Sequence, residues 1–180
     1  MFIWSALAHL VALTSPGPDT AIVIRQVSLY GKNEGIKTSV GIGIGIYIHC
    51  LLAVNGISIL ILANEIYKFL ITLIGGIYIT YLGVNIVTNK SIETFNFDHP
   101  VPKYKSSLFI GFFTNLFNIK AFLFFISIFS ILIEESVGIF IHIYPIYFAV
   151  VSSAWFIFIS YIFTVFRNQL SYNISRIIQY

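Results

Sequence analysis

Residues 106–133 read SSLFIGFFTNLFNIKAFLFFISIFSILI and carry a single charge, Lys120, near the middle of the run. The run is longer than the roughly 20 residues that a membrane-spanning helix needs. A charge at bilayer depth costs about 2.5 to 3.5 kcal/mol on insertion scales, so a lone one indicates a functional position. A second lone charge, Asp19, follows a Pro-Gly-Pro break at residues 16–18 in the first apolar segment. The pattern predicts one intramembrane charge in each half of the chain.

The composition is that of a membrane protein, with 58% hydrophobic residues, 9% charged residues and a mean hydropathy of +0.91. A soluble domain carries roughly 25% charged residues. Uncharged runs at 38–63, 69–89 and 136–166 are long enough to span, as are 1–18 and 106–133 if the break and the lone lysine lie at membrane depth. These runs do not alternate apolar and polar residues as outer-membrane strands do. We therefore predict an all-α membrane protein with about five transmembrane helices.

A polar segment at 90–105 divides the chain and is the predicted hinge. We predict a single transporter domain over 1–180, with 1–89 as its first half and 106–180 as its second half. Shifting the chain by 101 residues places the first break next to Lys120 and the second span on the fifth. Matching breaks in two three-helix halves are typical of inverted-repeat transporters. Because no hydrophobic run follows the fifth span, the final helix is expected to be missing, through truncation or in a five-span form.

The basic residues flank the spans, and basic connections alternate with less basic ones. Since positive charge favours the cytoplasmic side, we predict an outside N-terminus and a cytoplasmic C-terminus. Eight of the ten basic residues stand beside spans rather than on one face of a soluble domain, so membrane lipid is an expected partner and nucleic acid is not. The eight are Arg25, Lys32, Lys37, Lys90, Lys103, Lys105, Arg167 and Arg176.

The first break can bind a charged ligand. Pro16 and Pro18 donate no backbone hydrogen bonds and Gly17 is permissive, so a helix is expected to restart with Pro18 in its first turn. The free N–H groups of such a restart attract a carboxylate, and Asp19 attracts an ammonium group. A zwitterionic amino acid satisfies both. The alternatives are that Asp19 only stabilises the helix start and that Lys120 only neutralises Asp19 across the two halves.

Other polar residues in the apolar runs have two readings each. Asn115 and Asn118 lie on the same run as Lys120, where they either join helices or contact the substrate. His49, in the second span, is a candidate proton-coupling residue, with a packed or hydrogen-bonded histidine as the alternative. We expect the substrate to contact the following residues: Pro16, Gly17, Pro18, Asp19, Thr20, Asn115, Asn118 and Lys120.

Several function classes lack the residues they need. His9, His49 and His142 share no spacing, so neither a metal site nor any other cofactor is expected. No nucleophile is paired with a base, which argues against an enzyme. Gly41 and Gly45 form a small-xxx-small pair that predicts close helix packing, and glycine-lined helices are compatible with a homodimer.

Motifs in order along the chain are SPGPDT at residues 15–20, Arg25, Gly31, Gly35, the glycine-rich second span ending in His49, and GFFTNLFNIKA at residues 111–121. Together they resemble the LysE/RhtB family of amino-acid exporters. The resemblance implies a multi-pass, six-helix protein of the bacterial inner (plasma) membrane that exports amino acids or related small metabolites, driven by the proton-motive force.

Two departures from the family pattern affect the expectations. The family has proline between the asparagine and lysine of its second motif, where this chain has Ile119, so the second break is expected to be weaker. The sixth helix is also expected to be missing. The alternative to an exporter is therefore a truncated, transport-inactive or structural membrane protein.

Overall fold

A computed structural model describes residues 2–56, 106–135 and 140–178, with scattered positions between 63 and 84. Within this part of the chain all regular structure is α-helical, which confirms the predicted class. The third predicted span, 69–89, lies largely outside the described residues, and the hinge at 90–105 lies wholly outside them. The helices are α1 (Phe2–Thr14), α2 (Pro18–Tyr30), α3 (Lys32–Val54), α4 (Ser107–Leu116), α5 (Ile119–Glu135) and α6 (Phe140–Ile178).

Among the residues that the structure describes, two stretches are long and apolar enough to cross a membrane unaided, namely α3 and the part of α6 from His142 to Phe166. The α1–α2 pair is bent by 53° and the α4–α5 pair by 59°, and up to four spans result if each bent pair is one span. The predicted spans at 38–63, 106–133 and 136–166 correspond to these elements. The first predicted span ended at Pro18, whereas α2 carries the helical path on to Tyr30.

The first bend forms as its residue types predict. Gly17 is the N-cap of α2 in an extended conformation, and Pro18 stands in the first turn of the helix. Proline fits there because the first N–H groups of a helix have no partner within the helix. No side chain caps this helix start, so its backbone donors remain open to a ligand.

The second bend is not weaker than the first, so that prediction is wrong. The side-chain oxygen of Asn118 accepts a hydrogen bond from the backbone N–H of Lys120 at 3.1 Å. This is the geometry of an asparagine N-cap, in which the side chain replaces the missing helical acceptor. The backbone N–H of Asn118 in turn donates to the carbonyl of Asn115 at 2.9 Å. Asparagine capping therefore makes the break in a chain that has Ile119 where the family pattern has proline.

Glycines let α3 lie directly against its neighbours. A methyl group on Gly41 would collide with the backbone of Leu108 in α4, and one on Gly111 would collide with the backbone of Thr38 in α3. On another side of α3, Gly43 faces Ser153 of α6. The predicted close packing of small residues is confirmed. It places α3 between α4 and α6.

Buried polar and aromatic contacts hold the other helices. Ser107 at the start of α4 donates to the side-chain oxygen of Gln26 in α2 at 2.8 Å, and Thr38 of α3 donates to the Ser107 carbonyl at 3.2 Å. Between α5 and α6, the rings of Phe125 and Phe148 meet edge to face with centroids 5.5 Å apart. This geometry is a favourable one for aromatic pairs.

Candidate functional site

The two bends meet at Asp19. One carboxylate oxygen, Oδ2, accepts hydrogen bonds from the side-chain amides of Asn115 and Asn118, each at 2.9 Å. Asp19 is only 9% exposed. Its other oxygen, Oδ1, is buried without a hydrogen-bond partner. A buried acceptor left unsatisfied is unfavourable, and it is therefore available to a ligand donor.

Lys120 binds the other side of the first bend. Its ammonium group donates to the carbonyls of Ser15 at 2.7 Å and Ala12 at 3.2 Å. Carbonyls at the end of a helix lack partners within the helix and form the negative end of its dipole, so they attract a cation. Among the described residues, the only ion pair closer than 4 Å is the one between Lys37 and Glu34. Lys120 and Asp19 thus line the same cavity without an ion pair within 4 Å, and neutralisation of Asp19 by Lys120 stays a prediction.

A cavity of about 50 Å³ opens at this junction. Most of the predicted substrate contacts line it, whereas Pro16 and Pro18 shape the bend without lining the cavity. The lining residues are His9, Ala12, Leu13, Ser15, Gly17, Asp19, Thr20, Ile46, Asn115, Asn118, Lys120, Ala121, Phe124, Phe125 and Phe156.

His49 is not among the residues that line the cavity. Its Nε2 lies 3.0 Å from the backbone carbonyl of Asn115, and its ring packs beside Phe122 with centroids 5.7 Å apart. His49 is thus packed and hydrogen-bonded, as the alternative described, and contacts the segment carrying Asn115, while its Nδ1 is buried without a hydrogen-bond partner. Its coupling role stays a prediction. Gly45, one turn earlier on α3, allows Asn115 to lie close, since an added Cβ would stand 2.7 Å from its Oδ1.

Sequence reasoning missed the apolar wall of the cavity and His9. Phe124, Phe125 and Phe156 belong to long apolar runs in which no single phenylalanine stands out. His9 was considered only as a metal ligand. The available signal was a lone polar residue in an apolar helix, ten positions before Asp19. Within the described part of the chain no group of three metal-ligating side chains is close enough to hold an ion.

The site is chemically suited to a small zwitterion. The cavity brings together one carboxylate with a free oxygen, Asp19, and one ammonium group, Lys120. Their formal charges cancel, as do those of an amino acid with a neutral side chain. The open N–H groups at the start of α2 add a second attraction for a carboxylate.

Comparison with known proteins gives consistent matches. The model of the LysE type translocator family matches residues 10–180. The threonine efflux protein of Escherichia coli K12 is 29% identical over 143 residues, which cover 77% of this chain and 69% of that protein. The threonine efflux protein of Salmonella typhi is 28% identical over 142 residues, with the same coverage of 77% and 69%. An uncharacterized membrane protein of Bacillus subtilis is 29% identical over 124 residues, 63% of this chain and 58% of that protein. No solved structure gives a significant match.

Proposed function

This chain belongs to the LysE type translocator family, and we propose that it exports small neutral amino acids, driven by the proton gradient. Members of the family are multi-pass transporters of the inner membrane, not enzymes. Relatives named for threonine efflux make threonine the first substrate to test.

The observation that carries this proposal is that Asp19 lines the cavity and that its Oδ1 is buried without a hydrogen-bond partner. The two asparagines orient the carboxylate through Oδ2 and leave Oδ1 for the ammonium group of a substrate. The substrate carboxylate then faces the start of α2 and the ammonium of Lys120, which lies beside Gly17. Charge-assisted hydrogen bonds of this kind are the stronger ones in proteins.

The walls of the cavity favour a neutral substrate side chain. Leu13, Ile46 and the three phenylalanines are apolar, and Thr20 provides a hydroxyl group. A second charge on the substrate would have no partner there and would carry a desolvation penalty. Export of threonine should therefore be inhibited by other small neutral amino acids and little affected by lysine or glutamate.

Transport requires the cavity to open to each side of the membrane in turn. About 50 Å³ is room for roughly four water molecules at about 10 to 15 Å³ each. The helices around the bends must separate on one side to admit the substrate and on the other side to release it. Bends at matching positions near the membrane midplane are where secondary transporters bind substrate and move.

The first test is threonine efflux from cells loaded with a threonine-containing dipeptide. Asp19→Asn removes the charge and retains most of the shape, and we expect it to abolish efflux because the substrate ammonium loses its partner. Glu65→Gln, a matched change at an exposed acid, should export as wild type does. Membrane fractions establish that both variants insert. Wild-type efflux by Asp19→Asn would refute the site, and no efflux by wild type despite insertion would refute threonine export.

A further inference from the structure

His9 is a buried residue with a ring held in place by its neighbours and one ring nitrogen that has no hydrogen-bond partner. It lies within α1 and is 1% exposed. Its Nε2 is 2.9 Å from the hydroxyl oxygen of Ser152 in α6. Its Nδ1 is buried without a hydrogen-bond partner. When Nε2–H donates to Ser152, Nδ1 is a bare lone pair that can accept a proton.

Aromatic rings hold the imidazole in place. The ring of Phe148 lies edge-on with its centroid 4.8 Å away, and the rings of Phe124 and Phe125 have centroids 6.1 Å and 6.0 Å away. Such a wall excludes water from most of the ring. Because His9 also lines the cavity, the cavity is where its imidazole can exchange a proton with water.

Few charged or titratable groups face His9. Asp19 and Lys120 line the same cavity, from α2 and α5. From α6, Tyr147 presents its ring with a centroid 6.4 Å away. His9 and Asp19 therefore stand in one small space, each with a buried polar atom that lacks a partner.

We propose that His9 is the proton-coupling residue of this transporter. This inference rests on the proposed export function and assigns its coupling step. With the site open to the cytoplasm, the substrate ammonium binds Asp19 and the proton leaves His9 for water, because a further positive charge beside the ammonium groups of the substrate and Lys120 is unfavourable. With the site open to the outside, the substrate leaves and Nδ1 takes a proton from water. The N–H bond that forms outside breaks inside, so one proton enters for each amino acid exported.

Ser152 is a positioning residue in this scheme. Its hydroxyl group fixes the orientation of the imidazole through Nε2, which leaves Nδ1 to exchange the proton. Second partners of this kind determine which histidine nitrogen is protonated. Changing Ser152 should alter how transport depends on pH without removing the substrate contacts.

With the protein reconstituted in proteoliposomes, proton coupling can be measured separately from substrate binding. Proteoliposomes are assayed with radiolabelled threonine in two ways, as transport driven by an imposed pH gradient and as exchange at equal pH on both sides. We expect His9→Gln to lose gradient-driven transport by more than about tenfold, because glutamine carries no titrating proton, and to keep exchange within about twofold of wild type. His142→Gln, at an exposed histidine of α6, should retain both activities.

Each of the other possible results contradicts either the coupling role of His9 or the export function on which it rests. Gradient-driven transport by His9→Gln at the wild-type rate overturns the proposal, and so does a loss of both activities in a correctly folded variant, because the histidine is then structural. Wild-type exchange that no pH gradient accelerates leaves export intact and removes the coupling role. If wild type shows neither activity, the export function itself fails. If His9→Gln does not fold, Ser152→Ala is the variant to test. A pH profile of gradient-driven transport that is the same as that of wild type would then overturn the proposal.

Discussion

At the scale of single residues, the position of Asp19 depends on a glycine that never touches it. Asn115 donates to the Asp19 carboxylate, and the opposite side of Asn115 lies against Gly45. Any side chain at position 45 pushes on the amide that orients the carboxylate. A backbone position on α3 thus controls the geometry of a charge on α2.

Gly45→Ala tests this dependence. The added methyl group would stand 2.7 Å from the side-chain oxygen of Asn115, too close to be accommodated without movement. A hydrogen bond to a charged group contributes about 1.5 to 3 kcal/mol, so its loss should slow threonine efflux by about tenfold or more. Ile44→Val, at a neighbouring residue with an exposed side chain, should transport normally. Equal efflux by the two variants at equal membrane abundance would contradict the argument.

The sequence revealed most of these residues but not their pairing. Asp19 and Lys120 stood out because charges are unfavourable in apolar runs, and the asparagines stood out for the same reason. His9 did not, because its partner Ser152 is 143 residues away and no local spacing connects them. The carbonyl partners of Lys120 were also not predicted, because the end of α1 that supplies them lies more than 100 residues earlier in the chain.

At the scale of helices, the two bends are made by different chemistry. Proline and glycine interrupt the first pair, whereas the Asn118 side chain caps the restarted helix of the second. Hydropathy predicted where the apolar elements lie, since their length and composition decide that. It placed the second break near Lys120 but did not predict that this bend would be as sharp as the first, because the cap depends on the direction of one side chain.

Two substitutions separate the roles of Asn118. Serine also caps helices but lacks the amide donor, so Asn118→Ser should keep the cap while losing the hydrogen bond to Asp19 and most of the transport. Asn118→Ala removes both contacts and should be about 1 kcal/mol less stable than Asn118→Ser. Thermal unfolding in detergent and threonine efflux measure the two effects. If serine and alanine lower stability equally, the cap is not what holds the bend.

At the scale of the whole molecule, α3 is the central helix. Its glycines lie in contacts with α4 and α6 of the same chain, so those positions are already occupied. The homodimer stays a prediction, as does the inverted repeat. The orientation in the membrane also stays a prediction, since charge bias is its only support.

Cysteine labelling tests the orientation. Lys37 near the start of α3 should lie on the cytoplasmic side, and Glu65 should lie outside, where Asn64 accepts the N–H groups of Ile66 and Tyr67. An impermeant maleimide added to intact cells should therefore label Glu65→Cys and not Lys37→Cys. The native Cys50 is buried and should react little in either variant. The reverse labelling pattern would invert the predicted topology.

The opposite formal charges of Asp19 and Lys120 in one cavity have an electrical consequence. Moving one elementary charge across a membrane potential of about 100 mV involves about 2.3 kcal/mol. An empty site with cancelling charges, or one filled by a neutral zwitterion, crosses the field without that contribution. The membrane potential can then act on the transport cycle only through an additional charge that the protein carries across the membrane. In the cycle proposed above that charge is the proton on His9, so the membrane potential drives the inward return of the protonated, substrate-free form, whereas the outward step with a neutral amino acid is nearly voltage-independent.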